Sequence, residues 1–105
     1  IHVVDLAQGH LKALDHLMTK PGLVTVNLGT GHGYSVLEMV KAFESASGKP
    51  VAHQVVHRRT GDIAACYADT QKASDVLGWK ATKGLKEMCA DAWRWQSNNP
   101  EGYDK

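Results

Sequence analysis

The sequence predicts a mixed α/β lobe, built from helices and few short strands and incomplete on its own. Apolar residues recur at helical spacing in four separate stretches. Only two short stretches, residues 23–28 and 51–57, have the composition and alternation of strands. The resulting order of elements, α-β-α-β-α-α, contains too few strands to make a complete sheet.

Length and composition restrict the kinds of protein that this sequence can encode. Its 105 residues suffice for one domain, which would bury roughly two-thirds of its unfolded surface. A hydrophobic fraction of 43% with a net charge of +1 argues against a disordered chain and against a general nucleic-acid-binding surface. No apolar run approaches the ~20 residues of a membrane span. The two cysteines form no Cys-x-x-Cys pair, which predicts a reducing compartment, the cytoplasm.

The first predicted helix carries a single apolar stripe and ends at Pro21-Gly22. Gly9 lies inside this helix and costs up to about 1 kcal/mol relative to alanine, so packing must compensate for it. Because the chain begins at Ile1 within an apolar run, we expect it to be a piece of a larger protein. The stripe consists of Val3, Ala7, Leu11, Leu14 and Met18.

The second helix has the clearest predicted boundaries. Ser35 and Glu38 stand three residues apart, which is the spacing of a capping box. Gly48 followed by Pro50 closes the helix. Its apolar stripe consists of Val36, Met39, Val40 and Phe43.

Two further helices are predicted in the last third of the chain. Asp69 can cap a short helix that Gly78 ends, and Trp79 is expected to pack back over that end. Thr82 can cap the last helix, and residues 101–105 are predicted to form a loose tail. The apolar positions are Ala73, Val76 and Leu77 in the first of these helices, and Leu85, Met88, Cys89 and Ala92 with Trp93 or Trp95 in the second.

A glycine-rich turn, residues 29–33, joins the first predicted strand to the second helix, where a phosphate-binding loop could lie. A dinucleotide-binding fingerprint has the form Gly-x-Gly-x-x-Gly, but here the third glycine comes one residue early and position six is Tyr34. The pattern favours a tight strand-to-helix turn over a cofactor loop. The amide donors at the start of the helix could still border a ligand.

The histidines of the sequence do not have the spacing of metal ligands. His53 and His57 are four residues apart in a segment predicted to be extended, which separates them by about 13 Å, too far to share one ion. No cluster of carboxylates and histidines with ligand spacing accompanies them. We therefore predict no metal site.

The stretch Arg58-Arg59 followed by Asp62 is the strongest candidate for a ligand-binding site in the sequence. Adjacent side chains of a strand point to opposite faces, so only one of the two arginines can enter a given site. A guanidinium offers a fixed fork of donors that suits a diphosphate, and Asp62 could accept hydrogen bonds from ribose or sugar hydroxyls. A solvated loop with an ordinary salt bridge is the alternative interpretation.

Several stretches form an ordered series that runs from the first residue nearly to the last: residues 1–10, 27–31, 33–36, 58–62, 66–69, 77–79 and 93–96. Taken together, they resemble the UDP-glucose (UDP-galactose) 4-epimerases, of the extended short-chain dehydrogenase/reductase class. The ending Trp93-Arg94-Trp95-Gln96 and the complete order point to these epimerases more narrowly than to related nucleotide-sugar enzymes.

The resemblance implies that the chain is the carboxy-terminal, substrate-binding lobe of an extended short-chain dehydrogenase/reductase with a Rossmann-type fold. Such an enzyme oxidises the sugar of a UDP-sugar at C4 with NAD, lets the 4-keto sugar rotate and reduces its other face. The NAD-binding glycines and the catalytic residues would belong to an amino-terminal Rossmann domain outside this chain. The chain alone is therefore expected to be inactive, and the whole enzyme is expected to be a homodimer.

The resemblance also implies substrate-binding roles for four residues. It puts Arg59 on the diphosphate, Asp62 on the ribose and Val36 near the uracil. Cys66 would border the sugar ring; relatives with a tyrosine there are similar to strict glucose/galactose enzymes, whereas a smaller residue also admits 2-acetamido sugars. Thr60 departs from the family pattern, because many relatives have glutamate at that position.

Two alternatives remain open from the sequence. A sister enzyme on the same scaffold, a nucleotide-sugar dehydratase or decarboxylase, shares several of the matching stretches and would be distinguished by its amino-terminal sequence. A stand-alone nucleotide-sugar-binding module would be distinguished by folding alone and binding UDP without a partner.

Overall fold

A computed structural model describes residues 1–103 of the chain and contains four helices in this range: α1 (Val3–Thr19), α2 (Val36–Ser47), α3 (Gln71–Leu77) and α4 (Leu85–Asn98). Helix α1 packs on α3, and α2 packs along α4, so the helices form two pairs. None of the helices within residues 1–103 has the length and hydropathy needed to cross a bilayer. Positions 104 and 105, the end of the predicted tail, lie outside the described residues.

Helix α2 begins and ends as predicted. The Ser35 hydroxyl accepts a hydrogen bond from the amide of Glu38 at 3.2 Å, and the Ser35 amide donates to the Glu38 carboxylate at 2.7 Å, which completes the capping box. Hydrogen bonding to Ser35, chiefly from its backbone amide, holds the pKa of the Glu38 carboxylate below its usual value. Gly48 ends the helix with a φ of 67°, a region that glycine enters without steric cost.

Helices α3 and α4 begin later than their predicted caps. Thr70 is the N-cap residue of α3, while the carboxylate of Asp69 accepts a hydrogen bond from the first amide of the helix at 3.0 Å. Gly84 precedes α4, so the prediction of a cap at Thr82 is wrong. The amide and hydroxyl of Thr82 instead donate to Asp5.

Helix α1 turns its predicted apolar stripe away from the rest of the described chain. Asp5 and Gly9, on another face, are buried instead. A Cβ added to Gly9 would lie 2.7 Å from a methyl of Leu28 and 3.3 Å from the ring of Trp79, so only glycine permits this close approach. The outward-facing side chains, 59–85% exposed, are those of Val3, Leu11, Leu14 and Met18.

The apolar core of the described chain is small. Trp79 is 4% exposed and packs with α3, as predicted. The pair formed by α2 and α4 meets where Cys89, which is 1% exposed, brings its Sγ to 3.9 Å from the sulfur of Met39. The core around Trp79 also contains Ala73 and Leu77, with Ala13, Val26, Leu28, Val76 and Ala81 packed against it.

The carboxylate of Asp5 joins α1 to the connection between α3 and α4. It is fully buried and accepts hydrogen bonds from the Thr82 amide at 3.0 Å, the Thr82 hydroxyl at 3.1 Å and the Lys83 amide at 2.8 Å. Burial by itself raises the pKa of Asp5, but these hydrogen bonds outweigh burial and lower the pKa below its usual value.

His2 links the start of α1 to α4. Its Nδ1 accepts a hydrogen bond from the Val4 amide at 3.1 Å and therefore carries no proton in this arrangement. Nε2 then carries the proton and donates to the Asp91 carboxylate at 2.9 Å. The guanidinium of Arg94 contacts the other oxygen of Asp91 at 2.9 Å, so that the acceptor is held in place.

The two segments predicted as strands do not form a sheet within residues 1–103. The backbone groups of residues 23–28 and 52–57 make no hydrogen bonds to other backbone groups of the described chain. The prediction of few short strands is therefore not confirmed. The physical reason is that a strand is stable only beside a partner, and residues 1–103 bring no second strand alongside either segment.

The described chain is more open than a compact domain of the same length. Its radius of gyration is 17.2 Å, whereas a compact domain of this length has about 13 Å. Its accessible surface is 8452 Å², against about 5,800 Å² for a folded monomer of the same mass. The two helix pairs therefore leave a large apolar surface uncovered.

Asp5→Ala should destabilise the chain more than a comparable change elsewhere on α1. Its removal leaves three donors of Thr82 and Lys83 without their acceptor, which costs about 2–3 kcal/mol of unfolding free energy. Asp15→Ala is the matched control, because Asp15 is exposed on the same helix and such changes stay within about 0.5 kcal/mol. Urea unfolding measures both variants, and equal losses would contradict the role assigned to Asp5.

The stabilisation from Asp5 should decrease as the pH falls. An unfolded aspartate titrates near pH 3.9, and the pKa of folded Asp5 lies lower. The stabilisation is thus complete above the unfolded pKa and is lost as the pH falls through the folded pKa. The Asp5→Ala variant should lose less stability than the wild type on acidification, whereas parallel pH curves would contradict this expectation.

Candidate functional site

A cavity of about 380 Å³ lies between the glycine-rich turn and the segment that leads into α3. Residues 31–35 line one side of the cavity, and residues 64–67 line the other. On the second side, Ala64, Ala65 and Cys66 contribute only small side chains. The small side chains on this side leave space between the two segments, although His32, Tyr34 and Tyr67 also line the cavity.

The glycines of the turn allow the two segments to approach closely. A Cβ on Gly29 would lie 2.6 Å from the Cβ of Ala68, closer than such atoms ever come. A Cβ on Gly33 would lie 3.2 Å from the Cδ1 carbon of the Tyr67 ring. Protein atoms thus occupy the space beside both glycines, which accounts for the glycine run as a tightly packed turn, the interpretation that the sequence favoured.

Polar contacts within the turn fix its shape. The Thr30 hydroxyl donates to the carbonyl of His32 at 3.0 Å, and the His32 amide donates to the same hydroxyl oxygen at 3.3 Å. The rings of His32 and Tyr34 meet edge to face, with centroids 5.1 Å apart. Two aromatic rings consequently stand at the mouth of the cavity beside the start of α2.

Arg59 and Asp62 hold each other across an exposed turn. Arg59 Nη2 lies 3.2 Å from Asp62 Oδ1, and Arg59 Nε and the Arg59 amide donate to Oδ2 at 3.3 and 3.2 Å. The Arg59 side chain is 87% exposed. Exposed pairs of this kind contribute at most about 1 kcal/mol, so a ligand can replace one partner at little cost. Arg58 makes no salt bridge within residues 1–103.

The structure brings together only part of the predicted site. Cys66 lines the cavity, whereas Arg59, Asp62 and Val36 are not among its lining residues. Val36 is the first residue of α2 and is 79% exposed, directly after the cavity wall ends. In the described part of the chain no three His, Cys, Asp or Glu side chains converge as metal ligands would.

Sequence reasoning missed Tyr34, Ser35 and Tyr67 as residues that line the cavity. Ser35 was assigned only to the helix cap, a role that it does fill. The signal that could have found the others was the glycine run itself, because three glycines in five residues predict that another segment approaches the turn.

Curated proteins with similar sequences are UDP-glucose 4-epimerases. The enzyme of Bacillus subtilis is 62% identical over 103 residues, which make up 98% of this chain and 30% of that protein. The enzyme of Drosophila melanogaster is 61% identical over 105 residues, again 98% of this chain and 30% of the relative. A comparison with models of known protein families finds no match.

A solved structure of UDP-glucose 4-epimerase from Bifidobacterium longum, in complex with NAD+ and UDP, has the same fold over this region. It matches with a TM-score of 0.89 and 54% identity, and the match covers 98% of this chain and 30% of that chain. Sequence and fold thus agree on the class of protein, the nucleotide-sugar epimerases. Within that class, the chain belongs to the UDP-glucose 4-epimerase family. It spans about 30% of the length of the curated relatives that it matches.

The two cysteines should differ sharply in reactivity. Cys66 is exposed at the cavity, whereas Cys89 is buried and burial raises the pKa of its thiol. A thiol reagent such as 5,5′-dithiobis(2-nitrobenzoate) should therefore show a fast phase that accounts for a single thiol. The Cys66→Ser variant should lack this fast phase, and two thiols that react together in the wild type would contradict the structure.

Proposed function

We propose that this chain is the carboxy-terminal, UDP-sugar-binding part of a UDP-glucose 4-epimerase, which interconverts UDP-glucose and UDP-galactose through a 4-keto intermediate. The observation that carries the proposal is the 62% identity to an enzyme of that name over 98% of the chain. Relatives between 57% and 62% identical carry the same name, which favours an epimerase over a sister dehydratase, a decarboxylase or a stand-alone module.

The proposed role of Arg59 is to bind the diphosphate. Asp62 already orients the Arg59 guanidinium through two side-chain contacts. A diphosphate offers paired oxygens like those of the Asp62 carboxylate, with more negative charge. Asp62 would then be free to accept hydrogen bonds from the ribose hydroxyls. Val36, exposed at the start of α2, would contact the uracil ring. The motif that the chain shares with the family supports these roles.

The sugar would occupy the cavity beside Cys66. The wall formed by Ala64, Ala65 and Cys66 leaves a volume that a hexose can enter. Because no bulky side chain projects from position 66, the cavity also offers space for a 2-acetamido group. We infer from this that the parent enzyme, the full-length protein containing this chain, also interconverts UDP-GlcNAc and UDP-GalNAc.

The residues of this chain do not fit NAD. The faces of Gly29 and Gly33 that a pyrophosphate would approach are covered by Ala68 and Tyr67. NAD would be bound by an amino-terminal Rossmann domain of the parent enzyme, which would also supply the catalytic groups. When bound, NAD accepts and returns the hydride at C4, while this chain would hold the UDP-sugar in position.

The amino-terminal domain is also the proposed partner for the uncovered surface. The chain exposes roughly 2,650 Å² more than a compact monomer of its mass would, and the outer stripe of α1 is apolar. Covering that stripe removes apolar area from water and stabilises both parts. We further propose that the parent enzyme is a cytoplasmic homodimer that contacts neither nucleic acid nor membrane.

Arg59→Ala in the parent enzyme should weaken UDP-galactose binding by about 2–5 kcal/mol, because the charge-assisted hydrogen bonds of the guanidinium are lost from a site that the amino-terminal domain would enclose. Arg58→Ala is the matched control and should be milder, since Arg58 lacks the orienting contact with Asp62. Isothermal calorimetry with each variant measures the effect. Equal losses from the two arginines would overturn the assignment of Arg59 to the diphosphate.

Cys66→Tyr in the parent enzyme should abolish conversion of UDP-GalNAc and spare conversion of UDP-galactose. The phenol ring would fill the volume that the acetamido group needs, and packed walls do not expand to admit both. Coupled assays with the two substrates measure the effect, and UDP-galactose serves as the internal control. A wild-type parent enzyme that leaves UDP-GalNAc unchanged, or a tyrosine variant that still converts it, would contradict the assignment.

A further inference from the structure

We propose that the contact between Tyr67 and Gly33 sets the position of Cys66, and that Gly33 and Tyr67 thereby act as positioning residues for sugar specificity. The inference rests on the proposed function, since it requires the cavity to hold the sugar of a UDP-sugar. It concerns two residues that the sequence did not single out as members of the site.

The segment that carries Cys66 is held by packing rather than by hydrogen bonds. Within the described chain, residues 63–68 make no hydrogen bonds to other backbone groups. Their position instead depends on two close contacts with the glycine-rich turn, Tyr67 on Gly33 and Ala68 on Gly29. Cys66 directly precedes Tyr67, so a displacement of the Tyr67 backbone also moves Cys66.

A single methyl group is enough to disturb this contact. A Cβ at Gly33 would lie 3.2 Å from Tyr67 Cδ1, which obliges the ring to move by a few tenths of an ångström. Gly33 is not among the glycines with positive φ, so alanine introduces no backbone strain there. Gly33 and Tyr67 both line the cavity, so the added methyl group takes space from it.

The loss of space should affect ligands in order of the size of their sugar. UDP-GalNAc, with its acetamido group, should lose the most affinity, UDP-galactose should lose less, and UDP, which has no sugar, should lose none. One methylene in a closed pocket changes affinity by about tenfold or more. A purely structural role for Gly33 would instead weaken all three ligands by the same factor.

The test is calorimetric binding of UDP, UDP-galactose and UDP-GalNAc to the NAD-loaded parent enzyme and its Gly33→Ala variant. We expect the ratio of the dissociation constants for UDP-GalNAc and UDP to rise about tenfold in the variant. Adding Tyr67→Ala to Gly33→Ala removes the ring that the methyl displaces, while the contact of Ala68 with Gly29 still holds the segment. The double variant should therefore recover most of the lost affinity for UDP-GalNAc. Gly84→Ala is the matched control, because its Cβ would meet only the flexible Glu87 carboxylate at 3.4 Å.

The outcomes separate this inference from the proposed function. If the wild-type parent enzyme binds none of the three ligands, the proposed function fails. If it binds them but Gly33→Ala leaves the ratio unchanged, or the double variant recovers nothing, the positioning role fails while the proposed function stands. A ratio that rises in Gly33→Ala and falls back in the double variant supports the role.

Discussion

The hydrogen bonds to the Asp5 carboxylate are the interaction on which the arrangement of the described chain depends. A buried carboxylate is tolerated only when donors surround it, and here Thr82 and Lys83 supply three. Because α1 is thereby tied to the residues just before α4, the pair of α1 and α3 takes a defined place beside the pair of α2 and α4. His2 and Asp91 add a second link between the same two elements. Because the apolar core is this small, the arrangement of the helices depends strongly on these hydrogen bonds.

The candidate site depends on a different kind of constraint, the absence of side chains. Gly29 and Gly33 lie against Ala68 and Tyr67, and the small residues beside Cys66 leave the cavity open. The arginine and aspartate pair lies outside that lining, exposed to solvent and held by its own contacts. One part of the site is thus formed by packing and the other by charge, and the two parts can change independently of each other.

Features that depend on neighbours in sequence were predictable, and features that depend on distant partners were not. The capping box requires only two suitable residues three positions apart, so the sequence pattern of Ser35 and Glu38 was sufficient to predict the start of α2. The buried face of α1 was not predictable, since Gly9 is buried by Trp79 and Asp5 by Thr82, more than 65 positions away. The apolar stripe of α1 predicted a buried surface, but within residues 1–103 this surface is exposed. The roles of the four substrate-binding residues came from the family resemblance, because side-chain type and spacing alone favoured an exposed salt bridge for Arg59 and Asp62.

The links of Asp5 and His2 also determine the order in which the chain can fold. Asp5 meets Thr82 across 77 positions and His2 meets Asp91 across 89. At a synthesis rate of about 5–20 residues per second, α1 leaves the ribosome roughly 4–18 seconds before its partners exist. Closing loops of this length is entropically costly, so both links form late, after each helix pair has begun to assemble. For those seconds α1 lacks the polar anchor that later fixes its place beside the start of α4.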